Sequence, residues 1–345
     1  MSVTDFDFTK VDVCIYHRGC CDGFCSAYLV WNIIGEKGQN PITFIDKNPS
    51  SAISDEELEG FKGKNVLIVD LSFSAEDLLD IEDVAESILV IDHHETAASD
   101  LDGLDFAVFD MDYAGVGLLW KHLIGCLTVK GLGVADPEFP PMMAQYVQDR
   151  DLWKFELNKS REVNAFLQAL PHDFETWQKA DVMLGSDEGI STVASNGTVI
   201  LQTQNRMVEE LASYAAPVEL FIDPSRQQSV KARVVNCPLK ELISMTGHKI
   251  IQIEQAKEVD DRADVAVMFT IFPDGGYLCS IRSAPSFNAS VIAKAWDGGG
   301  HAQACGFKGD IKDGLPWRLV DEEPELEPEP EPEKVPVPKV ESMVL

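Results

Sequence analysis

The sequence predicts an α/β protein that combines a parallel-sheet domain with a second, smaller α/β domain. Through the first half of the chain, short apolar runs alternate with helix-like segments, and this order requires the crossover connections of a parallel sheet. After residue 218 the pattern becomes richer in short strand-like runs. Three apolar runs of the first half also end directly at Asp or His. Because open parallel sheets place their ligands at the carboxyl ends of strands, a functional site is expected there.

The elements of the first half follow from hydrophobic periodicity. Residues 11–16 predict a buried strand and residues 23–34 the helix after it, with further strand and helix pairs across 65–92. Ser74 precedes acidic residues, an arrangement that is typical of a helix N-cap. Three further helices are predicted at 115–124, 141–148 and 161–170.

The second half begins with a long helical stretch, to about residue 216, that leads into strands at 232–235, 263–272 and 277–282. The predicted division is a first domain at 1–187, a helical linker at 188–217, a second domain at 218–315 and a tail at 316–345. From residue 321 onward the tail is a Pro-Glu repeat with nine acids and two lysines, a net charge of −7. It is expected to be disordered because it has nothing to bury.

Composition limits the classes of function. The chain has 345 residues with 58 acidic and 28 basic side chains, a formal net charge of −30. Such a surface repels long polyanions, so long duplex DNA is not expected as a partner. No apolar run reaches the roughly 20 residues that span a bilayer, and the acidic start differs from a secretory signal, so a cytoplasmic protein without a membrane partner is expected. Eight scattered cysteines favour reduced thiols over a disulfide framework.

Side chains that bind metals stand at the ends of three of the apolar runs. In chain order they are His17, Cys20 and Asp22 after the first run, Asp70 after the second, and Asp92, His93 and His94 after the third. Carboxylate and imidazole groups suit divalent cations, and two cations about 3.5–4 Å apart can hold both oxygens of a phosphoryl displacement. Asp70 is the candidate to bridge them. Any one of these residues alone is more often a helix cap or a structural histidine, but packing does not require all of them together.

Two further motifs give weaker signals. Asp149 and Asp151 end an apolar helix, and such a cluster by itself is more often a solvated helix end. Residues 298–300 are three glycines followed by His301, which would bring backbone N–H groups close to an anion, although a triple glycine is more often a flexible turn. No ladder of aromatic residues that would stack successive bases is visible.

Five motifs, in this order along the chain, resemble those of the DHH phosphoesterase family. They are YHRGCCDG at 16–23, IVDLS at 68–72, IDHH at 91–94, QDRDLWKF at 148–155 and GGGHAQACGF at 298–307. The resemblance covers nearly all of residues 11–310, and its features point to the oligoribonuclease- or exonuclease-like subgroup. It implies a catalytic domain at 1–187, a DHH-associated substrate-binding domain at 218–315, and hydrolysis of phosphoesters or phosphoanhydrides. It also implies two manganese ions in the cleft between the domains, with Mg²⁺ or Co²⁺ as alternatives.

The resemblance also assigns roles to residues of this chain. The implied metal ligands are His17, Asp22, Asp70, His93 and Asp149, with Asp151 as the alternative to Asp149. Asp92 is expected either to orient His93 or to bind metal directly. Substrate contacts are implied for Arg282, His301 and the glycines Gly298, Gly299 and Gly300. The residues implied to neutralise charge on the phosphoryl oxygens are His94, Arg282 and His301.

One position departs from the family pattern. Many members have Asp-x-Asp in the first motif, whereas this chain has Cys20 before Asp22. A thiolate is a softer ligand, so Cys20 is expected either to bind metal or to leave its place to water. A subgroup of DHH proteins with His-x-x-Cys-x-Asp-Gly looks similar, so the change does not predict an inactive protein.

The sequence therefore predicts a manganese-dependent phosphodiesterase that acts on short oligonucleotides or small nucleotides. Two alternatives stay open at this point. One is a pyrophosphatase or polyphosphatase, because the same metal pair would serve any P–O–P bond. The other is a protein that binds a nucleotide without cleaving it. Arg150, beside the implied ligand Asp149, is expected to form a structural ion pair.

Overall fold

Five short strands in the first half of the chain form a parallel sheet. They are β1 (Val13–His17), β2 (Thr43–Lys47), β3 (Asn65–Val69), β4 (Ser87–Asp92) and β5 (Ala107–Phe109). Their order across the sheet is β2-β1-β3-β4-β5, and every neighbouring pair is parallel. The computed structural model describes residues 6–35, 41–48, 51–130 and 139–320, and the predicted α/β class is confirmed in these ranges.

Eight helices accompany this sheet in the described ranges. They are α1 (Cys21–Leu29), which continues as a π-helical segment (Val30–Ile34), α2 (Asp55–Phe61), α3 (Ala75–Val84), α4 (Glu95–Asp100), α5 (Gly115–Val129), α6 (Met142–Asp151), α7 (Ser160–Gln168) and α8 (Phe174–Leu184). The strands are buried from both sides, since Leu67 and Leu89 lie in one hydrophobic cluster and Ile68 and Val90 in another. Burial on two faces explains why these strands are continuous apolar runs in the sequence.

The predicted elements of this half are present, with ends shifted by a few residues. Ser74 caps α3 as predicted, because its Oγ accepts a hydrogen bond from Asp77 N at 3.1 Å. The predicted helix at 115–124 is α5, which continues to Val129. Strand β2 was not predicted, because Thr43–Lys47 mixes apolar and charged residues at the edge of the sheet.

A second sheet follows the 27-residue helix α9 (Asp187–Ser213). Its strands are β6 (Ala216–Phe221), β7 (Ser229–Asn236), β8 (Val265–Ile271), β9 (Gly276–Ser283), β10 (Gly299–His301), β11 (Ala304–Asp310) and β12 (Trp317–Leu319). They lie in the order β10-β11-β9-β8-β7-β6-β12, and among these pairs only β7 and β8 are parallel. Helices α10 (Lys240–Gln255) and α11 (Ser290–Ala295) complete this part. The division into two domains stays a prediction.

The boundary predicted for the tail differs from the structure. Trp317–Leu319 pair antiparallel with β6, and Trp317 packs into the core of the second sheet with 9% of its surface exposed. Residues 316–320 therefore complete the second sheet, and a single strand of three residues gave no pattern that marked it in the sequence. The rest of the predicted tail, 321–345, lies outside the described residues.

Two expectations from composition can be compared with the structure. All eight cysteines are free, and the expected reduced state of their thiols stays a prediction. Within 6–35, 41–48, 51–130 and 139–320, no helix is both long and apolar enough to cross a membrane.

Candidate metal centre

Three adjacent strands bring predicted ligands to one edge of the parallel sheet. β1, β3 and β4 are neighbours and run in the same direction, so His17, Asp70 and Asp92 meet at their carboxyl ends. Asp70, directly after β3, has a left-handed backbone with φ 54°. A non-glycine residue adopts this conformation at a cost of about 1–3 kcal/mol, and such strain is concentrated at functional sites.

Asp70 presents one carboxylate oxygen to each of two groups of side chains. Its Oδ2 lies 3.3 Å from His17 Nδ1, and its Oδ1 lies 3.2 Å from His93 Nε2. Among the described residues, four groups have potential ligand atoms within 4.8 Å of one another. The two groups that Asp70 faces in this way are His17 with Cys20 and Asp70, and Asp22 with His93 and Asp151. Because Asp70 is only 1% exposed, its carboxylate contacts both groups in the interior of the protein.

Three carboxylates converge on one imidazole nitrogen. His93 Nε2 lies 3.6 Å from Asp22 Oδ2, 3.2 Å from Asp70 Oδ1 and 3.4 Å from Asp151 Oδ2. A single N–H group cannot satisfy three such acceptors. Burial, followed by the charges of Asp70 and Asp151, raises the pKa of Asp22 well above its usual range. A divalent cation would compensate the crowded negative charge.

Buried polar atoms without hydrogen-bond partners mark the same place. Within the part of the chain that the structure describes, His17 Nδ1, Asp70 Oδ2 and His93 Nδ1 are buried and make no hydrogen bond. Buried polar groups are normally satisfied, so such a concentration requires an explanation. Imidazole and carboxylate donors are those that divalent cations bind, and the residues present therefore fit a pair of such ions.

The N-terminus of α5 holds the carboxylate of Asp22. Gly115 N donates to Asp22 Oδ2 at 2.6 Å, and Val116 N donates to Oδ1 at 2.9 Å. The positive end of a helix stabilises a carboxylate in this position. A Cβ atom on Gly115 would lie 2.7 Å from Asp70 Cβ and 2.9 Å from Asp22 Oδ2, so only glycine fits. This contact could not be predicted from the sequence, where its only signal is the glycine that starts the helix.

Replacing Gly115 with Ala is expected to lower metal affinity at least about tenfold and to cost about 1–3 kcal/mol of stability, because the methyl group displaces two carboxylates. Gly125→Ala in the same helix is the matched control, since nothing lies within 4 Å of the added Cβ. The control should gain about 0.5–1 kcal/mol from helix propensity. Manganese titration and urea unfolding measure both quantities. Similar behaviour of the two variants would contradict the proposed contact.

Asp92 fixes the two histidines that follow it. Its Oδ1 accepts a hydrogen bond from His93 N at 2.7 Å and lies 2.7 Å from His94 Nδ1, while its Oδ2 accepts from Ser72 Oγ at 2.7 Å. Burial would raise the pKa of Asp92, but the charge and hydrogen bond of His94 bring it down to about 2. These donors suit the orienting role for Asp92, and Asp92 also lies in a group of potential ligand atoms with Asp70, His93 and His94, so direct metal binding stays the alternative.

The glycine motif docks the second sheet onto α4. Gly300 N donates to Thr96 Oγ1 at 2.9 Å, and Gly298 N donates to Ala293 O at 2.8 Å. A Cβ on Gly299 would lie 2.7 Å from Thr96 Oγ1, so the approach requires glycine. The anion contact predicted for this motif therefore does not use the amides of Gly298 and Gly300, which donate within the chain.

This docking places His301 beside the histidines of the first sheet. Its ring centroid lies 5.0 Å from that of His93 and 5.0 Å from that of His94, and it stacks on His94 at an interplanar angle of 18°. Burial, followed by the charges of His94 and His93, lowers the pKa of His301 to about 3. The imidazole of His301 is therefore neutral at pH 7, and it can donate a hydrogen bond without carrying a charge.

Two guanidinium groups near the site lack carboxylate partners. Arg282 donates to Ser244 Oγ at 2.7 Å and to Ile281 O at 2.8 Å. Burial lowers the pKa of Arg282 to about 10, with a further contribution from the charge of Arg150, and Arg282 stays cationic at neutral pH. Arg150 makes no ion pair with the acids that the structure describes, so the structural ion pair expected for it is not found there.

The two acids at the end of α6 have different partners. Asp149 Oδ1 accepts a hydrogen bond from Glu156 N at 2.9 Å and its Oδ2 from Leu157 N at 3.2 Å, so Asp149 holds the turn that follows the helix. Asp151 instead belongs to the ligand group around His93. The structure thus places the alternative Asp151, rather than the implied ligand Asp149, at the candidate centre.

The chain is similar in sequence or in structure to several known proteins. No family model matches it. An uncharacterized protein of Acanthamoeba polyphaga mimivirus is 25% identical over 328 residues, which are 92% of this chain and 72% of that protein. Exonuclease RecJ bound to manganese is similar in structure with a TM-score of 0.50 and 15% identity, over 90% of this chain and 89% of that chain.

Two further solved structures have similar scores. The DHH domain of a member of a ribosomal-protein family has a TM-score of 0.50 and 15% identity, over 88% of this chain and 84% of that chain. RecJ from Thermus thermophilus in complex with Mn²⁺ has a TM-score of 0.51 and 14% identity, over 90% of this chain and 51% of that chain. The fold resembles the folds of these RecJ and DHH-domain structures. The five motifs found in the sequence lie on this α/β fold, and the second domain and the subgroup that their resemblance implied stay predictions.

Proposed function

We propose that this chain is a manganese-dependent phosphoesterase of the DHH family that hydrolyses phosphodiester bonds of short oligonucleotides or small nucleotides. The observation that carries the proposal is the placement of Asp70, which offers one oxygen to each of two groups of ligand side chains. Two metal ions that share a carboxylate are the arrangement expected for an in-line phosphoryl displacement. The RecJ structures of similar fold contain Mn²⁺, which supports the choice of ion.

The proposed ligands form two sets that share Asp70. One set is His17, Cys20 and Asp70, and the other is Asp22, Asp70, His93 and Asp151. When bound, the ions would supply a hydroxide near neutral pH and a positive charge for the phosphoryl oxygens. Asp92 keeps His93 in place through its backbone amide, and the N-terminus of α5 keeps Asp22 in place.

Three side chains are proposed to act on the substrate. His94 contacts Asp92 through its Nδ1, so its Nε2 is the ring nitrogen that is proposed to donate a hydrogen bond to a phosphoryl oxygen. His301, stacked on His94, supplies a neutral donor, and Arg282 supplies a positive charge without a competing carboxylate. These groups would stabilise the charge that grows on the phosphoryl oxygens during hydrolysis.

A short substrate agrees with the charge of the molecule. The chain as a whole carries −30, whereas Arg282 has no carboxylate partner among the described residues and the positive charge of Arg150 acts on it. Positive charge confined to a cleft attracts a small phosphoester, whereas the surrounding acids repel a long strand. The proposed subgroup is therefore the oligoribonuclease-like one, with catalysis at 1–187 and substrate binding at 218–315.

Incubation with a 5′-labelled short oligoribonucleotide and Mn²⁺ is expected to release mononucleotides, and EDTA is expected to stop the release. The Asp92→Ala, His93→Ala double variant should be inactive, because it removes one ligand and the group that orients it. Pyrophosphate and a cyclic dinucleotide are tested in parallel. Release of phosphate from pyrophosphate alone would favour a pyrophosphatase. If none of these substrates is turned over although Mn²⁺ binds, the proposal fails and a nucleotide-binding protein is the better interpretation.

A further inference from the structure

Four aromatic rings from distant parts of the chain stack on one another beside the candidate metal centre. His172 lies on Phe24 with centroids 4.7 Å apart and an interplanar angle of 11°. Phe24 lies on Phe174 at 5.2 Å and 19°, and Phe174 lies on Trp31 at 5.2 Å and 18°. Phe24 is only 1% exposed, whereas His172 is the exposed member of the stack. The sequence did not reveal this stack because its members are separated by up to about 150 residues.

The plane of the exposed imidazole is fixed by a second contact. The fully buried ring of Trp177 lies edge-on to His172 at 5.9 Å and 82°, and edge-on to Phe24 at 5.0 Å and 72°. His172 is therefore held between a face contact and an edge contact, in the two geometries that aromatic rings prefer. A ring that is fixed on a buried stack and exposed to solvent presents a preformed flat surface.

This surface lies close to the proposed ligands. Phe24 N donates to Cys20 O at 3.0 Å across the first turn of α1, and both Cys20 and Asp22 belong to the ligand groups. The ring of His172, with its centroid 4.7 Å from that of Phe24, therefore packs on the turn of α1 that carries Cys20 and Asp22.

A positive charge lies beside the same surface. The exposed Lys240 reaches from α10 to the loop after β1, where its Nζ donates to Arg18 O at 3.1 Å. Burial and the charge of Lys240 lower the pKa of His172 against the opposing charge of Asp46, which pairs with Arg18, and this direction favours the neutral ring. A neutral ring suits stacking on an uncharged base, and an ammonium group beside it suits a phosphate. Packing of the core alone requires neither an exposed ring nor this ammonium group.

We infer that His172 is a platform on which a nucleobase of the substrate stacks, with Lys240 beside it to receive a phosphate. This inference rests on the proposed function and narrows it, because a substrate with a base gains binding energy that pyrophosphate or polyphosphate lacks. His172 is accordingly a residue that determines specificity and does not take part in the hydrolysis itself.

The test compares a diadenylate with an abasic dinucleotide of the same backbone, in Mn²⁺. His172→Ala is expected to raise KM for the diadenylate about tenfold, with kcat unchanged, since stacking on one base is worth roughly a factor of ten or more. KM for the abasic substrate should stay the same. His172→Phe should restore the wild-type KM because it restores the ring. Tyr214→Ala, which removes an aromatic residue that is 66% exposed at the end of α9, is the control and should change neither KM.

Equal losses with the two substrates would overturn the inference, because they would show that His172 supports the centre or the fold. An unchanged KM for the diadenylate would overturn it as well. Binding of 2-aminopurine riboside monophosphate in Mn²⁺ is measured by fluorescence quenching as a second readout, which needs no turnover because a monophosphate has no phosphodiester bond. Quenching by the wild type and by His172→Phe, together with loss of quenching in His172→Ala, supports the platform even if the proposed hydrolysis fails. Equal quenching by all three proteins overturns the platform and leaves the proposed hydrolysis untouched.

Discussion

Replacing Asp70 with Asn is expected to reduce metal-dependent turnover by roughly 10³-fold or more, the largest effect of a single side chain in this protein. Loss of a residue that only orients a metal ligand typically costs about 10–100-fold. Replacement of Asp70 should reduce turnover further, because its two oxygens face two different ligand groups and both groups would lose a negative charge. The carboxamide keeps one neutral oxygen and places an NH₂ donor where the second oxygen was. Turnover under saturating Mn²⁺ and calorimetric titration of Mn²⁺ measure the two losses.

Asn is the appropriate replacement because of the backbone at this position. Asp70 has φ 54°, and Asn tolerates the left-handed region better than most non-glycine residues, so the variant changes charge with little added strain. Arg282→Gln is the comparison, since that side chain is proposed to contact substrate without contacting metal. It should lose turnover by about 10²-fold and keep its affinity for Mn²⁺. Normal manganese-dependent turnover of the Asp70 variant would refute the shared-ligand interpretation.

The fold of the first half could be predicted because a strand that is buried on both faces appears in the sequence as a continuous apolar run. Strands β3 and β4 contain the continuous apolar runs 66–69 and 88–91, and each run is followed at once by an Asp of the centre. Strands at the edge of a sheet need not contain such a run. Thr43–Lys47 is half exposed and Trp317–Leu319 has three residues, so packing with neighbours that are distant in sequence decides both.

The residues that meet at the centre could be predicted where the order of the strands brings them together. They could not be predicted where the direction of a side chain decides whether it reaches the centre. His17, Asp70 and Asp92 meet because β1, β3 and β4 are adjacent and parallel. The stack that ends at His172 joins residues from α1 and from the segment before α8, and only the folded chain brings them together. The choice between Asp149 and Asp151 is of the same kind, because two residues of separation at a helix end give no sign of which carboxylate turns inward.

Asp151→Asn and Asp149→Asn are expected to separate metal binding from stability. The first should weaken Mn²⁺ binding and turnover at least about 100-fold, because Asp151 Oδ2 lies 3.4 Å from His93 Nε2 among the proposed ligands. Its unfolding in EDTA should be close to that of the wild type. The second should lower the free energy of unfolding by about 1.5–3 kcal/mol, the usual worth of a hydrogen bond to a charged group. Urea unfolding in EDTA and calorimetric titration of Mn²⁺ are made on both variants.

The turn that follows α6 explains why the effect of Asp149 should be on stability. Trp153 and Phe155 both have left-handed backbones, with φ 57° and 53°, a strain of about 1–3 kcal/mol each that the surrounding contacts must hold. Asp149 stabilises this turn, because its carboxylate accepts hydrogen bonds from the backbone amides of Glu156 and Leu157 at the far end of the turn. Asp149→Asn should therefore loosen the turn and weaken Mn²⁺ binding less than tenfold, through the position of its neighbour Asp151. The reverse pattern, a stable Asp149 variant that no longer binds Mn²⁺, would make Asp149 the ligand after all.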